Sequence, residues 1–178
     1  MKKLLLALAM VFCVAGAQAQ RASEAAVWSE DNDAAHSGFF VNPVLGAYVG
    51  DIDDTGFGFG ADLGYRLHLT SGLHWNILTA GWNSGLINGG EDIEYLSNVR
   101  ILTGARYNTP RILAGKSMYV NFDLGCSINT YSSDAAFAYN LGVGVNLSRL
   151  ISLGVAWDGI SKDGYNLGII GLKLGINF

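Results

Sequence analysis

An all-β chain closed into an eight-stranded antiparallel transmembrane β-barrel is the fold the sequence predicts, on three observations. Segments alternating between apolar and small or polar side chains recur eight times from Gly38 onward, and a period of two is the signature of a strand. Half the residues are hydrophobic and only 15% are charged, against about 25% in typical soluble domains. After the first twenty residues no apolar run approaches the roughly 18 needed for a spanning helix, so the apolar excess lies in short alternating strands.

The N-terminus has the pattern of a secretory signal. Lys2 and Lys3 form the basic region, Leu4–Val14 the apolar one, and Ala17-Gln18-Ala19 the small-residue cleavage site. Residues 1–19 are therefore assigned as signal peptide, 20–37 as a periplasmic tail and 38–178 as the barrel. Cys13 leaves with the signal. Cys126 then has no partner for a disulfide and, lying on an apolar face, is expected as a small buried hydrophobe. The mature chain keeps nine basic and fifteen acidic residues, a net charge of about −6, which argues against nucleic acid as a partner.

Strand one spans Phe39–Gly50, with Asn42, Gly46 and Tyr48 on one face; Pro43 makes it the least regular. Strand two, Phe57–Leu69, sets Phe57, Phe59, Ala61, Leu63, Tyr65, Leu67 and Leu69 against Gly58, Gly60, Asp62, Gly64, Arg66 and His68. A tight turn at Thr70-Ser71-Gly72 leads to strand three, Leu73–Trp82, with Leu73, Trp75 and Ile77 on its apolar face. The Gly- and Asn-rich stretch Asn83–Ile93 is expected as a longer loop. Strand four, Glu94–Tyr107, opposes Val99 and Ile101 to Asn98, Arg100 and Arg106.

A connection at Asn108–Lys116, containing Pro110, precedes the sharpest alternation of all. In strand five, Ser117–Asn129, Met118, Val120, Phe122, Leu124, Cys126 and Ile128 oppose Tyr119, Asn121, Asp123, Gly125, Ser127 and Asn129. Strand six (Ala135–Leu147) opposes Phe137, Tyr139, Leu141, Val143 and Val145 to Asn140, Gly142, Gly144 and Asn146. Strand seven (Ile151–Asp158) opposes Ile151, Leu153, Val155 and Trp157 to Ser152, Gly154, Ala156 and Asp158. The last strand, Tyr165–Phe178, carries Ile170, Leu172, Leu174, Ile176 and Phe178 on one side and Gly171, Lys173, Gly175 and Asn177 on the other.

An even strand number puts both ends of the barrel on one side. With that side periplasmic, Asp51–Thr55, Asn83–Ile93, Tyr131–Asp134 and Gly159–Asp163 fall outside. Outward aromatics then sort to two levels: Phe57, Tyr95, Phe137 and Trp157 at the outer end, Trp75, Tyr107 and Phe178 at the periplasmic end. Such girdles mark a membrane barrel. A soluble barrel with the same alternation turned inside out would have to pack rows of Phe, Tyr, Trp and Leu into a narrow lumen, where the small polar face fits far better.

The terminal Leu172-Lys173-Leu174-Gly175-Ile176-Asn177-Phe178 resembles the C-terminal strand of bacterial outer-membrane barrels, in which a final Phe after alternating apolar residues is read by the barrel-assembly machinery. The resemblance implies an assembly signal at Leu172, Leu174, Ile176 and Phe178. The region Phe39–Phe178 as a whole resembles small eight-stranded outer-membrane proteins of the OmpA transmembrane-domain and OmpX type, and porin-like barrel proteins common in Bacteroidetes. It implies a bacterial outer-membrane location, periplasmic termini, contact with outer-membrane lipid and lipopolysaccharide, and a monomer. No surface ligand is named by the sequence.

The most suggestive chemistry is a set of inward charges: Asp62, Arg66, Arg100, Arg106, Asp123 and Lys173, with Glu94 and Asp158 nearer the outer rim. Charges in a narrow lumen are costly unless paired. Folding strand four onto five about residues 108–116 sets Arg100 roughly opposite Asp123. A salt-bridged plug is expected over a gated ion path, because eight strands leave little bore. Some barrels of this architecture modify outer-leaflet lipid with His and Ser or Asp. Here His36 lies in the tail, and His68 and His74 flank the 70–72 turn at the opposite end from the outer leaflet. The acidic stretch Asp51-Ile52-Asp53-Asp54-Thr55 lacks the remainder of a calcium loop and reads as a solvated loop. Gly58, Gly60 and Gly64 lie in a strand with no helix following, which fails the context of a nucleotide loop. No cofactor, metal or catalytic residue is expected. The function expected is a non-enzymatic envelope protein with a role in structure or surface interaction. A narrow pore for ions or small solutes is the alternative, and an outer-leaflet lipid-modifying enzyme comes third.

Overall fold

Eight strands pair in sequence order and the last returns to the first: β1 Gly38–Gly50, β2 Gly56–Thr70, β3 Leu73–Gly89, β4 Asp92–Leu113, β5 Lys116–Asn129, β6 Ala135–Asn146, β7 Ile151–Lys162 and β8 Tyr165–Asn177. Every seam is antiparallel. The computed structural model describes residues 37–50, 56–70, 72–89, 92–113, 116–130 and 134–178, without the side chains of 87–89, 92–95 and 110–113. The signal peptide, nearly all of the tail with Trp28 and His36, and the acidic stretch 51–55 lie outside the described residues, as do the side chains of Glu94 and Tyr95.

Alternation dictates the two faces. The outward set of β5, Met118 through Ile128, is exposed at every second position, while Tyr119, Asn121, Asp123 and Ser127 between them are buried. Leu141 and Val143 on β6, Ile151 through Trp157 on β7, and Ile170, Leu172 and Leu174 on β8 are exposed in the same way. A contiguous apolar belt this large, wrapped around a closed sheet, is a surface solvated by lipid. Cys126 belongs to that belt and is exposed, which corrects the expectation of a buried thiol: its apolar neighbours face out of the barrel, not into a core.

Aromatic side chains edge the belt at both ends. At the end holding the termini, Phe39 meets Tyr65 edge-to-face at 5.0 Å, and Trp75 donates its indole N–H to Thr103 Oγ1 at 3.1 Å. At the far end, Phe59 packs on Trp82 at 5.6 Å and Tyr139 on Trp157 at 5.3 Å. Trp82 Nε1 donates to Ser97 Oγ at 3.0 Å. Ring bodies in the apolar belt with bonded polar tips are what an interface between lipid and water selects.

Two expected loops are strand. The ladder between β3 and β4 runs from Asn83↔Asn98 to Gly89↔Asp92, so Asn83–Ile93 is mostly a hairpin extension. Gly and Asn are poor strand formers, yet β2 pairs with this stretch as far as Gly56↔Ile87; backbone groups satisfied on both sides outweigh propensity. The expected connection Asn108–Lys116 likewise continues the ladder, with Arg111↔Ser117 and Leu113↔Lys116. Pro110, which has no N–H to donate, sits within its first register irregularity. β7 also runs four residues past Asp158, to Lys162, and closes on Tyr165 through Asp163 (φ 52°) and Gly164 (φ 88°). Two residues with positive φ form the tight turn that suits a twisted hairpin.

A bulge in β3 was not visible in the pattern. Tyr65 faces Leu78 and Arg66 faces Asn76, leaving Ile77 as the extra residue. Inward positions accordingly switch from His74 and Asn76 to Thr79, Gly81 and Asn83. Without this phase change, Trp82 would point into the lumen.

The interior is layered. Val44, Tyr48 and Ile169, backed by Leu96 and Leu167, form an apolar cluster toward the end away from the termini. Below it lies a polar and charged stratum, and toward the terminal end Phe40 and Tyr119 are buried among arginines.

Candidate functional site in the lumen

Asp62, Arg66, Arg100, Arg106, Asp123 and Lys173 are all buried and inward. Asp158 joins them. It is 2% exposed and sits in the central stratum rather than at the rim, because β7 continues beyond it.

Four of these groups form a closed ring. Arg100 Nη2 lies 2.7 Å from Asp62 Oδ1 and 2.9 Å from Asp158 Oδ1. Lys173 Nζ lies 2.7 Å from Asp62 Oδ2 and 3.2 Å from Asp158 Oδ1. Each cation touches both carboxylates, so two positive and two negative charges alternate around the ring. Its members come from β2, β4, β7 and β8, and it therefore bridges the lumen.

The sequence explains how side chains from strands that are not neighbours meet. Asp62, Gly81 and Arg100 are register partners in one row across β2, β3 and β4. A Cβ on Gly81 would strike Asp62 Oδ1 and come within 2.6 Å of Arg100 Nε; only glycine leaves the gap through which the ion pair forms. A second row runs Asn76, Gly104, Asp123, Asn140, Asp158. Here Gly104 is the gap, and Asn76 Nδ2 donates to Asp123 Oδ1 at 2.8 Å across it.

Amides link this row into a network. Asn121 Nδ2 donates to Asp123 Oδ2 and to Asn140 Oδ1, the latter at 2.8 Å, and Asn140 Nδ2 donates to Asp158 Oδ1. Asp123 is thus held by amides, whereas Arg100 faces Ser127 in the ladder. This corrects the expected Arg100–Asp123 opposition. The β4–β5 ladder runs on to Leu113↔Lys116 and carries two register irregularities, so midpoint arithmetic on 108–116 misplaced the partner by four residues.

The two remaining arginines are solvated differently. Arg66 Nε donates to Asn76 Oδ1 at 2.8 Å and Nη1 to Asn177 Oδ1 at 3.1 Å, with its guanidinium 4.6 Å from the centre of the Phe40 ring. Arg106 Nε donates to Asn108 Oδ1 at 3.1 Å and Nη2 to Asn146 Oδ1 at 2.5 Å, over the face of Tyr119 at 3.7 Å. A cation over a ring face is attracted by its quadrupole, more so when desolvated. The Tyr119 ring itself fits because Gly144 and Gly154 stand beside it. Arg66 and Arg106 were visible as inward charges; their amide and aromatic partners carried no sequence signal beyond lying on the same face.

One cavity of about 20 Å³ lies among Arg66, Arg106, Asn76, Asn121, Asp123 and Lys173, room for about one water. His68 and His74 lie together at the terminal end, ring centres 4.9 Å apart, and the backbone N–H of His68 donates to Ser37 Oγ at 2.8 Å. In the last strand, Leu172 and Leu174 are exposed on the belt, Ile176 is half-buried, and exposed Phe178 donates its N–H to Phe39 O at 2.8 Å.

No protein-family model and no curated protein matches the sequence. Solved structures do match the fold. Neisserial surface protein A superimposes with a TM-score of 0.53 at 14% identity, covering 80% of this chain and 98% of that one. The attachment invasion locus protein Ail of Yersinia pestis gives 0.52 at 13%, covering 80% and 97%. The outer membrane enzyme PagL gives 0.51 at 15%, covering 78% and 99%. The chain therefore has the closed eight-stranded architecture that small outer-membrane barrels share.

Proposed function

We propose that this is a non-enzymatic integral outer-membrane protein whose lumen is closed by its own charges and whose role lies in envelope structure or surface interaction. The observation that carries this reading is the Arg100–Asp62–Lys173–Asp158 ring, which spans the interior; the cavity beside it has room for about one water. Ion pairs shared between four strands suit a brace better than a path, since a permeating ion must be released as readily as it is bound. In this reading the belt contacts outer-membrane lipid and lipopolysaccharide, and the barrel-assembly machinery reads Leu172, Leu174, Ile176 and Phe178. The protein acts as a monomer. Reconstituted in a planar bilayer, it is expected to give no steady conductance; reproducible single-channel steps would overturn the plug and favour a narrow pore.

Both termini are periplasmic in this proposal. An epitope inserted between Asp163 and Gly164, where a Cβ on Gly164 meets nothing within 4 Å, is expected to be labelled on intact cells. One inserted at Ser148–Arg149 should be labelled only after permeabilisation. The opposite pattern reverses the orientation.

A further inference from the structure

We infer that the small lumen cavity lined by Arg66 and Arg106 is a binding site for a single monatomic anion of halide type. Charge accounting comes first. The described lumen holds four buried cations, Arg66, Arg100, Arg106 and Lys173, against three buried carboxylates, Asp62, Asp123 and Asp158. Arg100 and Lys173 consume Asp62 and Asp158 in the closed ring. Among the described residues, no carboxylate lies within ion-pair distance of Arg66 or Arg106. Asp123 is the nearest in role, and its two oxygens are taken by the amides of Asn76 and Asn121.

Geometry supplies the second argument. Arg66 and Arg106 each bond through Nε and one terminal nitrogen to Asn oxygens, which leaves guanidinium donors unused. Both line the same cavity. Its volume of about 20 Å³ suits one water-sized group, the size class of a monatomic anion. Asp123 and Asp62 also line it, so the anion sits on the arginine side. With Asp123 the one carboxylate left for two arginines, one buried positive charge is in excess, which is costly, and an anion beside them offsets it where a neutral water only hydrogen-bonds. Carboxylates facing the cavity disfavour the anion, but Asp62 is already paired in the ring and both oxygens of Asp123 are turned to the amides of Asn76 and Asn121.

Bromide is the probe. Crystals of the mature protein grown with bromide as the main anion are expected to show an anomalous peak in the cavity that Arg66 and Arg106 line. Density there without anomalous signal means a water and overturns the proposal. In lipid vesicles, the urea midpoint at constant ionic strength should rise saturably as gluconate is replaced by bromide, and that rise should vanish in Arg106→Gln and in Arg66→Gln. A midpoint indifferent to the halide overturns the site, as does an equal rise in both variants. If neither variant folds, the anomalous peak in the unmodified chain still decides.

Discussion

Arg100→Met is expected to lower the stability of the folded barrel in lipid vesicles by about 3–5 kcal/mol, the cost of removing one member of a buried ion network. The substitution keeps volume but leaves Asp62 and Asp158 facing a single Lys173, so one buried carboxylate is uncompensated. Asp62→Leu creates the mirror problem, two cations on Asp158. Arg100→Met with Asp62→Leu leaves Lys173 against Asp158 one to one, and this double variant should recover a substantial part of either single loss. Arg100→Met with Asp123→Leu should show no such recovery, because those side chains share no ion pair and losing Asp123 strips negative charge from the arginine-rich end. Urea unfolding of these four variants, with Asp123→Leu alone as the fifth, tests this; losses that simply add for Arg100 and Asp62 would mean the ring contributes no coupling.

On the opposite face, Leu124→Arg is expected to cost about 2–4 kcal/mol, the value for arginine on the lipid side near the bilayer midplane. Leu124 lies mid-strand on β5 and is 38% exposed on the belt. Ser127→Arg, three residues away, probes a different term. Ser127 is 1% exposed and is the register partner of Arg100, so its cost comes from crowding and like charge. Adding anionic lipid should soften the first change and leave the second alone. Unaffected folding of Leu124→Arg into bilayers would mean the two faces are misassigned.

What the sequence revealed and what it hid follow from the range of each interaction. Strand faces on β2, β5, β6, β7 and β8 were legible because alternation is local: each side chain's side is fixed by its neighbours. The β3 bulge escaped because Ile77-Leu78 reads equally well as a strand continuing or slipping by one. Strand length escaped at Asn83–Gly89, where Gly and Asn signal a loop but partners on both sides hold a ladder. The lumen charges were found as a set, yet their pairing was not. Adjacent-strand arithmetic considers Arg100 only against β5, whereas its partners lie on β2 and β7. The clue was available in Gly81, a missing side chain in the row between Asp62 and Arg100, but its meaning depends on a register no short-range pattern supplies.

The seam between β1 and β8 has a consequence for how the molecule is made. Seven seams join consecutive strands and form as hairpins. The eighth pairs residues from opposite ends of the barrel, such as Gly46 with Gly171, and contacts that distant in sequence are slow to find. Until they form, the sheet exposes two raw edges that could capture strands of other chains. The same delay leaves the charge ring unfinished, since Lys173 rides on β8. Asp62, Arg100 and Asp158 come together on earlier strands with one charge too few, and the missing cation arrives only with the closing strand. Annealing the edges and neutralising the interior are thus a single event, which makes a nearly closed barrel an unstable intermediate rather than a resting place.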